Sequence, residues 1–262
     1  MTFNQKNTTY PKVSCLMVTA NRLQIAKRAI KCFAEQLYPN KELIIIDDGE
    51  ENYNKILKKY SNFNIKYIKV GNQQNNTLGF LRNCSLDNAT GDYIVQWDDD
   101  DWYHPKRLDI QANILSNGYD ACCLSATIMH ISSKKYMYHP FIGKLRGGIP
   151  GSIMHKRNKS IRYSNLIREE DTYYLREWSK KKLYIFDTSF NYLFIRSYHG
   201  ENTWEIEHFQ RRLKNSIYKW FIYIWYFKIM KTPFRHPNFS LNYKEKDSFK
   251  NFLDDSKEIN LL

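Results

Sequence analysis

A chain of 262 residues with a net charge of +13 is long enough for one large domain, or for a domain with an appendage. With 42% apolar residues in periodic segments it is not a disordered chain, and no apolar run approaches the roughly 20 residues needed to cross a bilayer. The cysteines Cys15, Cys32, Cys84, Cys122 and Cys123 form no CxxC pair, and four of the five lie in apolar-patterned segments. That predicts buried reduced thiols and a reducing compartment. The polar N-terminus "MTFNQKNTTYPK" has no apolar signal core, so the expectation is a cytoplasmic protein.

The first 130 residues alternate short apolar strands with helices. Val13 to Val18 reads as a strand. Leu23, Ala26, Ile30, Phe33 and Leu37 then recur at helical spacing behind a cap at Asn21. A strand at Glu42 to Ile46 runs into the turn Asp47-Asp48-Gly49, followed by a short helix near Tyr53 to Tyr60 and a strand from Ile65 to Val70. A helix from Thr77 to Asn88 ends near Gly91, the strand "DYIVQW" feeds directly into Asp98 to Asp101, and Pro105 opens a helix reaching Asn117. This alternation predicts an α/β domain with a mainly parallel sheet and helices on both faces.

After Ala121 the pattern changes. "ACCLSATIMHISSKKYMYH" reads as two antiparallel strands around a Ser132-Ser133 turn, followed by a glycine-rich loop from Gly143 to Ser152. A helix spans Arg168 to Trp178, and strands "KLYIF" and "NYLFIRS" follow. From Gln210 to His236 the composition is basic and aromatic with no acid at all, and the tail beyond Pro237 is polar and uninformative. The chain is therefore divided into one α/β domain, residues 1–209, and a C-terminal helical appendage, residues 210–262.

In a parallel α/β sheet, ligands bind outside the carboxyl ends of the strands. Asp47-Asp48 and Asp98 to Asp101 both fall at such ends. Four adjacent carboxylates held at a strand end repel one another and call for a cation, and Mg²⁺ or Mn²⁺ suit carboxylate oxygens. Mg²⁺ uses one or two protein carboxylates and completes its shell with water and phosphate oxygens, which points to a metal–diphosphate site. The plainer alternative is an acidic turn capping the next helix. No P-loop or GxGxxG pattern occurs, which counts against ATP or NAD chemistry.

The ordered strings "VSCLMVTANR", "IIIDDG", "LGFLRNCSLDNATGDYIVQWDDDDWYHPKRL", "EEDTYYLREW" and "SYHGENTW" resemble the inverting family 2 glycosyltransferases of GT-A fold, of the type that builds bacterial surface glycans. The resemblance runs from Pro11 to Trp204. It is strongest from Arg82-Asn83 through Gly91, Asp98, Asp100 and Asp101 to Pro105. It implies a metal-dependent transfer of a sugar from a nucleotide-diphosphate donor, a UDP-sugar by preference, to a hydroxyl of a glycan or lipid-linked glycan. Carried over by position, Thr19, Asn21 and Arg22 lie beside the nucleotide, Asp48 accepts a hydrogen bond from base or ribose, and Arg82 lies near the nucleotide. Asp98 holds ribose or metal, Asp100 ligates Mn²⁺ or Mg²⁺ with His199 close by, and Asp101 lies by the donor sugar. Asp99, counted with the donor-binding set, occupies a variable slot where its charge is incidental. Asp171 is the implied base, with Glu170 the second candidate of that acidic pair.

The stretch Ser216 to Lys231 fits an interfacial helix on an anionic membrane surface, which would place the protein peripherally at the inner face of the cell membrane. A helix packed on the catalytic domain, or a protein contact, accommodates it equally. Two other function classes remain open at this level: a nucleotidyltransferase, and a non-catalytic relative that binds glycan or nucleic acid. The acidic cluster argues against a nucleic-acid partner, because phosphates would be repelled.

Overall fold

The computed structural model describes residues 10–71, 76–131, 139–198, 200, 211–212 and 217–261. Val13–Thr19 (β1) is buried along almost its whole length, as a strand covered by helices on both faces must be. Lys41–Asp47 (β2) pairs with it in parallel, Val13 opposite Lys41 and Thr19 opposite Asp47, and Ile65–Lys69 (β3) continues the sheet beyond β2. Tyr93–Gln96 (β4) pairs in parallel with the other edge of β1. The chain thus winds outward through β2 and β3 and then returns to the far side of β1. That reversal opens a crevice between the carboxyl ends of β1 and β4, the place where such sheets bind ligands.

Trp102–Tyr103 (β5) follows the acidic residues. Ala121–Leu124 (β6) belongs to the large sheet and Ala126–Ile131 (β7) to a smaller one, so the run expected to form one strand divides at Ser125. Phe141–Lys144 (β8) is the antiparallel partner of β7, so Gly143 and Lys144, expected in the glycine-rich loop, are in a strand. The Ser132-Ser133 turn lies outside the described residues. Met154–Lys156 (β9) runs antiparallel to β4 and β6, Leu183–Phe186 (β10) runs parallel to β6, and Phe194–Tyr198 (β11) joins β5 to β7. The result is a seven-stranded, mainly parallel sheet ordered β10-β6-β9-β4-β1-β2-β3, with a four-stranded sheet β5-β11-β7-β8 beside it.

The helices are Leu23–Ala34 (α1), Asn54–Leu57 (α2), Leu78–Asn88 (α3), Arg107–Ser116 (α4) and Glu170–Trp178 (α5). Thr77 caps α3 by accepting from the Phe80 N–H at 3.1 Å. Asn21 does not cap α1. It adopts a left-handed backbone, and its side-chain oxygen accepts from the Glu50 N–H at 2.7 Å, tying the turn after β1 to the turn after β2. All five cysteines are free; four are buried and Cys84 is half-buried.

The polar tail folds. Tyr243–Glu258 is a helix opened by a capping box in which Asn242 accepts from the Glu245 N–H and Glu245 accepts from the Asn242 N–H, at 3.1 and 2.7 Å. It buries Phe252 in the main core, with Phe249 and Leu253 packed alongside. So narrow an apolar stripe among charged residues leaves a weak signal in the sequence. Ile217–Ile224 is also helical and continues as a π-turn over Trp225–Ile229. Among the described residues no helix is long and apolar enough to cross a membrane.

Candidate active site

The four carboxylates from Asp98 to Asp101 form a turn at the carboxyl end of β4. The Trp97 N–H donates to the Leu16 carbonyl at 3.0 Å, extending the β1–β4 pairing and bringing the turn beside Thr19 to Arg22. Tyr103 clamps the start of the turn, since its hydroxyl accepts from the Asp98 N–H at 2.6 Å and donates to the Asp98 carbonyl at 3.1 Å. Behind it the fully buried Arg107 donates to the Gln96 carbonyl at 3.2 Å and lies over the Tyr103 ring at 4.5 Å. Arg28, from α1, donates to the Asp100 carbonyl at 2.6 Å. Buried donors therefore fix the backbone of the turn and set where its side chains project.

The side chains occupy four different environments. Asp98 accepts from Arg82 at 2.9 Å and from Gln96 at 3.1 Å. Asp100 is partly open to solvent, with Arg22 at 3.7 Å. Asp99 turns inward toward Thr19, with Arg22 at 3.6 Å, and its second oxygen is buried with no hydrogen-bond partner among the described residues. Burial first, and then the Asp100 charge, push the Asp99 carboxyl up to about 7. Asp101 is also buried and is raised well above the carboxylate range by burial and Asp100, against the opposing charges of Arg196 and Arg28. Asp99, whose charge was expected to be incidental, packs against the residues of the β1 turn.

The opposite wall is the start of α5. Glu169 has a left-handed backbone at φ 65°, an unusual conformation for a residue with a Cβ. The two residues after it diverge. Glu170 is buried and accepts from Arg82 at 2.8 Å, so one guanidinium bridges Glu170 and Asp98. Asp171 lines a cavity of about 450 Å³ bounded by the Gly147–Pro150 loop, Arg196 of β11 and Arg212. Burial raises the Asp171 carboxyl above its ordinary value of 3.8; Arg82 opposes that shift and Asp98 adds to it. Of the expected acidic pair, Asp171 faces the cavity. Glu170 does not, because it is held in the salt bridge that orients Arg82.

Around the crevice, the Thr19 hydroxyl lies 2.8 Å from the Tyr53 hydroxyl, and Asp48 accepts from the Asn76 amide at 2.7 Å. Gly49 allows the β1 and β2 turns to meet: a Cβ there would come within 2.3 Å of the Asn21 nitrogen. His199 lies outside the described residues.

The family profile described as glycosyl transferase family 2 matches residues 14–199. The chain belongs to glycosyl transferase family 2. Among curated relatives, the glycosyl transferase WcaA of Escherichia coli, named for colanic acid biosynthesis, is 38% identical over 101 residues, which cover 38% of this chain and 36% of that protein. The chain spans only about a third of the length of the curated relatives it matches. Among solved structures, S. aureus TarS in complex with UDP is similar at a TM-score of 0.58 and 15% identity, covering 95% of this chain and 80% of that one. The mannosyltransferase PcManGT of Pyrobaculum calidifontis, in complex with GDP-Man and Mn²⁺, is similar at 0.54 and 12% identity, covering 97% and 71%. At such identities the likeness shows the fold, a GT-A α/β architecture.

Family 2 membership makes two residues notable that sequence reading passed over. Arg196 lies within electrostatic reach of Asp98, Asp100, Asp101 and Asp171, joining the acidic turn to the cavity. A lone cation inside the apolar run "NYLFIRS" was the available signal. Arg28 was hidden in the helical pattern of α1, where a buried arginine looks like a surface one.

The donor set fits a hard divalent cation. Asp98 and Asp100 offer carboxylate oxygens at the mouth of the crevice, and the buried oxygen of Asp99 lacks a partner among the described residues. Among the described residues no three His, Cys, Asp or Glu side chains converge into a protein-only cage. A cation completed by water and phosphate oxygens needs no such cage.

Proposed function

We propose that the protein is a metal-dependent, inverting glycosyltransferase that moves a sugar from a nucleotide-diphosphate donor, preferably a UDP-sugar, to a hydroxyl of a glycan or lipid-linked glycan. The observation that carries this reading is the coupling of the acidic turn to the start of α5. Arg82 bridges Asp98 and Glu170, and Arg196, which lines the cavity beside Asp171, lies within electrostatic reach of Asp98, Asp100, Asp101 and Asp171. The nucleotide lies in the β1/β4 crevice among Thr19, Asn21, Arg22 and Asp48, and Asp99 and Arg82 border it. Asp100 and Asp98 hold Mn²⁺ or Mg²⁺, which when bound offsets the charge that develops on the departing diphosphate. Asp101, within electrostatic reach of Arg196 and Arg28, borders the donor-sugar side.

Asp171 takes the proton from the acceptor hydroxyl as its oxygen attacks the anomeric carbon opposite the diphosphate. The carbon–oxygen bond to the acceptor forms as the bond to the diphosphate breaks, so one displacement inverts the configuration. Glu170 acts through Arg82 as a positioning residue. The TarS–UDP complex supports a uridine donor, and the relative named for colanic acid biosynthesis supports a surface-glycan acceptor.

The segment Ile217–Ile229 supports attachment to an anionic membrane surface. Ile217, Tyr218, Phe221, Trp225 and Ile229 are all more than half exposed, Trp220 is nearly so, and Lys219, Lys228 and Lys231 lie along the same stretch. Phe227 of the same stretch turns to the protein, stacking on Tyr223 at 4.3 Å and packing on Phe239.

The test of the main reading is a panel of UDP- and GDP-sugars with and without Mn²⁺, read by nucleotide release. Release of UDP from at least one donor, abolished by chelator, is expected. No release with any donor, or full activity in chelator, would overturn it.

A further inference from the structure

We propose that the cavity beside Asp171 is an acceptor subsite built for a phosphoryl group, so that the acceptor carries a phosphate or phosphodiester close to the hydroxyl that is glycosylated. This inference rests on the reading of Asp171 as the base. The wall contributed by α5 is one helical face, Asp171, Thr172, Leu175, Arg176 and Ser179. Asp171 is the one carboxylate lining the cavity among the described residues, against three arginines, Arg176, Arg196 and Arg212.

The three arginines differ in what surrounds them. Arg196 is already balanced by the carboxylates of the acidic turn. Arg176 lies over the Tyr173 ring at 5.1 Å on an exposed part of α5. Arg212 is half-buried, and its Cβ lies over Gly143 of β8, where a methyl group on the glycine would meet it at 3.4 Å. Burial lowers the Arg212 pKa first, the like charges of Arg196 and Arg211 lower it further, and Asp171 alone opposes them. Like-charged guanidinium groups gathered in a half-buried cavity cost free energy, and an arriving anion recovers it. Guanidinium forks match phosphate oxygens two at a time, whereas a neutral sugar gains little from them.

The remaining walls are apolar. Leu145, Leu175, Leu183 and Ile185 face the same space, and Ile185 is 38% exposed. Such a lining takes either the hydrocarbon start of a lipid phosphate or the flat face of a phosphorylated sugar. The phosphoryl group is common to both.

The test is calorimetry on the full chain saturated with UDP and Mn²⁺, titrated with octyl phosphate, glucose 1-phosphate and octyl glucoside below its micelle concentration. At least one phosphate probe is expected to bind about tenfold more tightly than octyl glucoside, since charge-assisted pairs are roughly twice as strong as neutral ones. Arg212→Gln is expected to remove most of that preference and Arg212→Lys to restore part of it, with melting temperatures confirming that both variants fold. Octyl phosphate as the better probe identifies a lipid phosphate; glucose 1-phosphate identifies a phosphorylated glycan. Equal binding of all three probes, or a preference untouched by Arg212→Gln, overturns the subsite. Binding of UDP is read separately in the same experiment. If UDP binds and the phosphates do not, the subsite alone is lost; if UDP does not bind, the donor reading is lost with it.

Discussion

Arg28 of α1 donates to the backbone carbonyl of Asp100 at 2.6 Å, and the same guanidinium lies over Phe252 and donates to Ser256 at 3.0 Å, both on the C-terminal helix. Asp255, next to Ser256, accepts from the Trp102 indole at 2.7 Å and from Lys31 at 2.5 Å. The end of the chain therefore braces the acidic turn from behind, on both sides of Asp100 and Asp101. Asp255→Ala leaves the indole N–H unpaired, and a loss of about 1–3 kcal/mol in urea denaturation is expected. Weaker Mn²⁺ binding should accompany it. A variant with unchanged stability and unchanged Mn²⁺ affinity would show that the brace is idle.

Asp171→Asn keeps the shape of the side chain and removes its basicity. Transfer to the acceptor should fall about 10²–10⁴-fold while donor affinity by calorimetry stays near that of the parent. Glu170→Gln should act differently, since it removes the charge that holds Arg82 and weakens donor binding as well.

The pH profile carries a sign. The Asp171 carboxyl is raised above 3.8 in the folded protein, and only its ionised form accepts a proton. Activity should therefore fall as pH drops through that raised value, beginning at a higher pH than an ordinary aspartate would give. Lowering the pH should reduce kcat before it reduces donor binding. An acid limb that is unchanged in Asp171→Glu and in the parent would assign the limb to another group.

Metal binding should release protons. Asp99 is pushed up to about 7, so without a cation it is mostly protonated at pH 6 and about half protonated at pH 7. A divalent ion beside it favours the ionised form, lowers the pKa and expels the proton. Titrating Mn²⁺ in buffers of different ionisation enthalpy measures the proton count. Asp99→Asn should abolish the release, and Asp100→Ala should abolish Mn²⁺ binding itself.

The exposed aromatic stretch makes a separate prediction. Replacing Trp220, Phe221 and Trp225 with Ser should release the protein from vesicles containing anionic lipid, and raising the salt should weaken the parent's binding. Failure of the parent to bind such vesicles at low salt would assign the face to a protein contact.

The sequence by itself determined the alternation of strands and helices, the positions of the acidic turns at strand ends, and the family to which they belong. These follow from local periodicity and from motif spacing, both of which are properties of short stretches. Tertiary structure decided how the charges are shared. The sequence pairs Glu170 with Asp171, but the left-handed backbone at Glu169 opens a helix that sends one to Arg82 and the other to the cavity. Asp99, seemingly interchangeable with its neighbours, is buried by the register of β1 against β4, which sets the turn beside Thr19 and Arg22. The tail, polar and uninformative as sequence, braces the turn because one narrow stripe, Phe249, Phe252 and Leu253, meets a core assembled from distant segments. Contacts across 72 and 228 residues, as from Arg28 to Asp100 and Ser256, leave no periodic trace in the chain, and only folding brings them together.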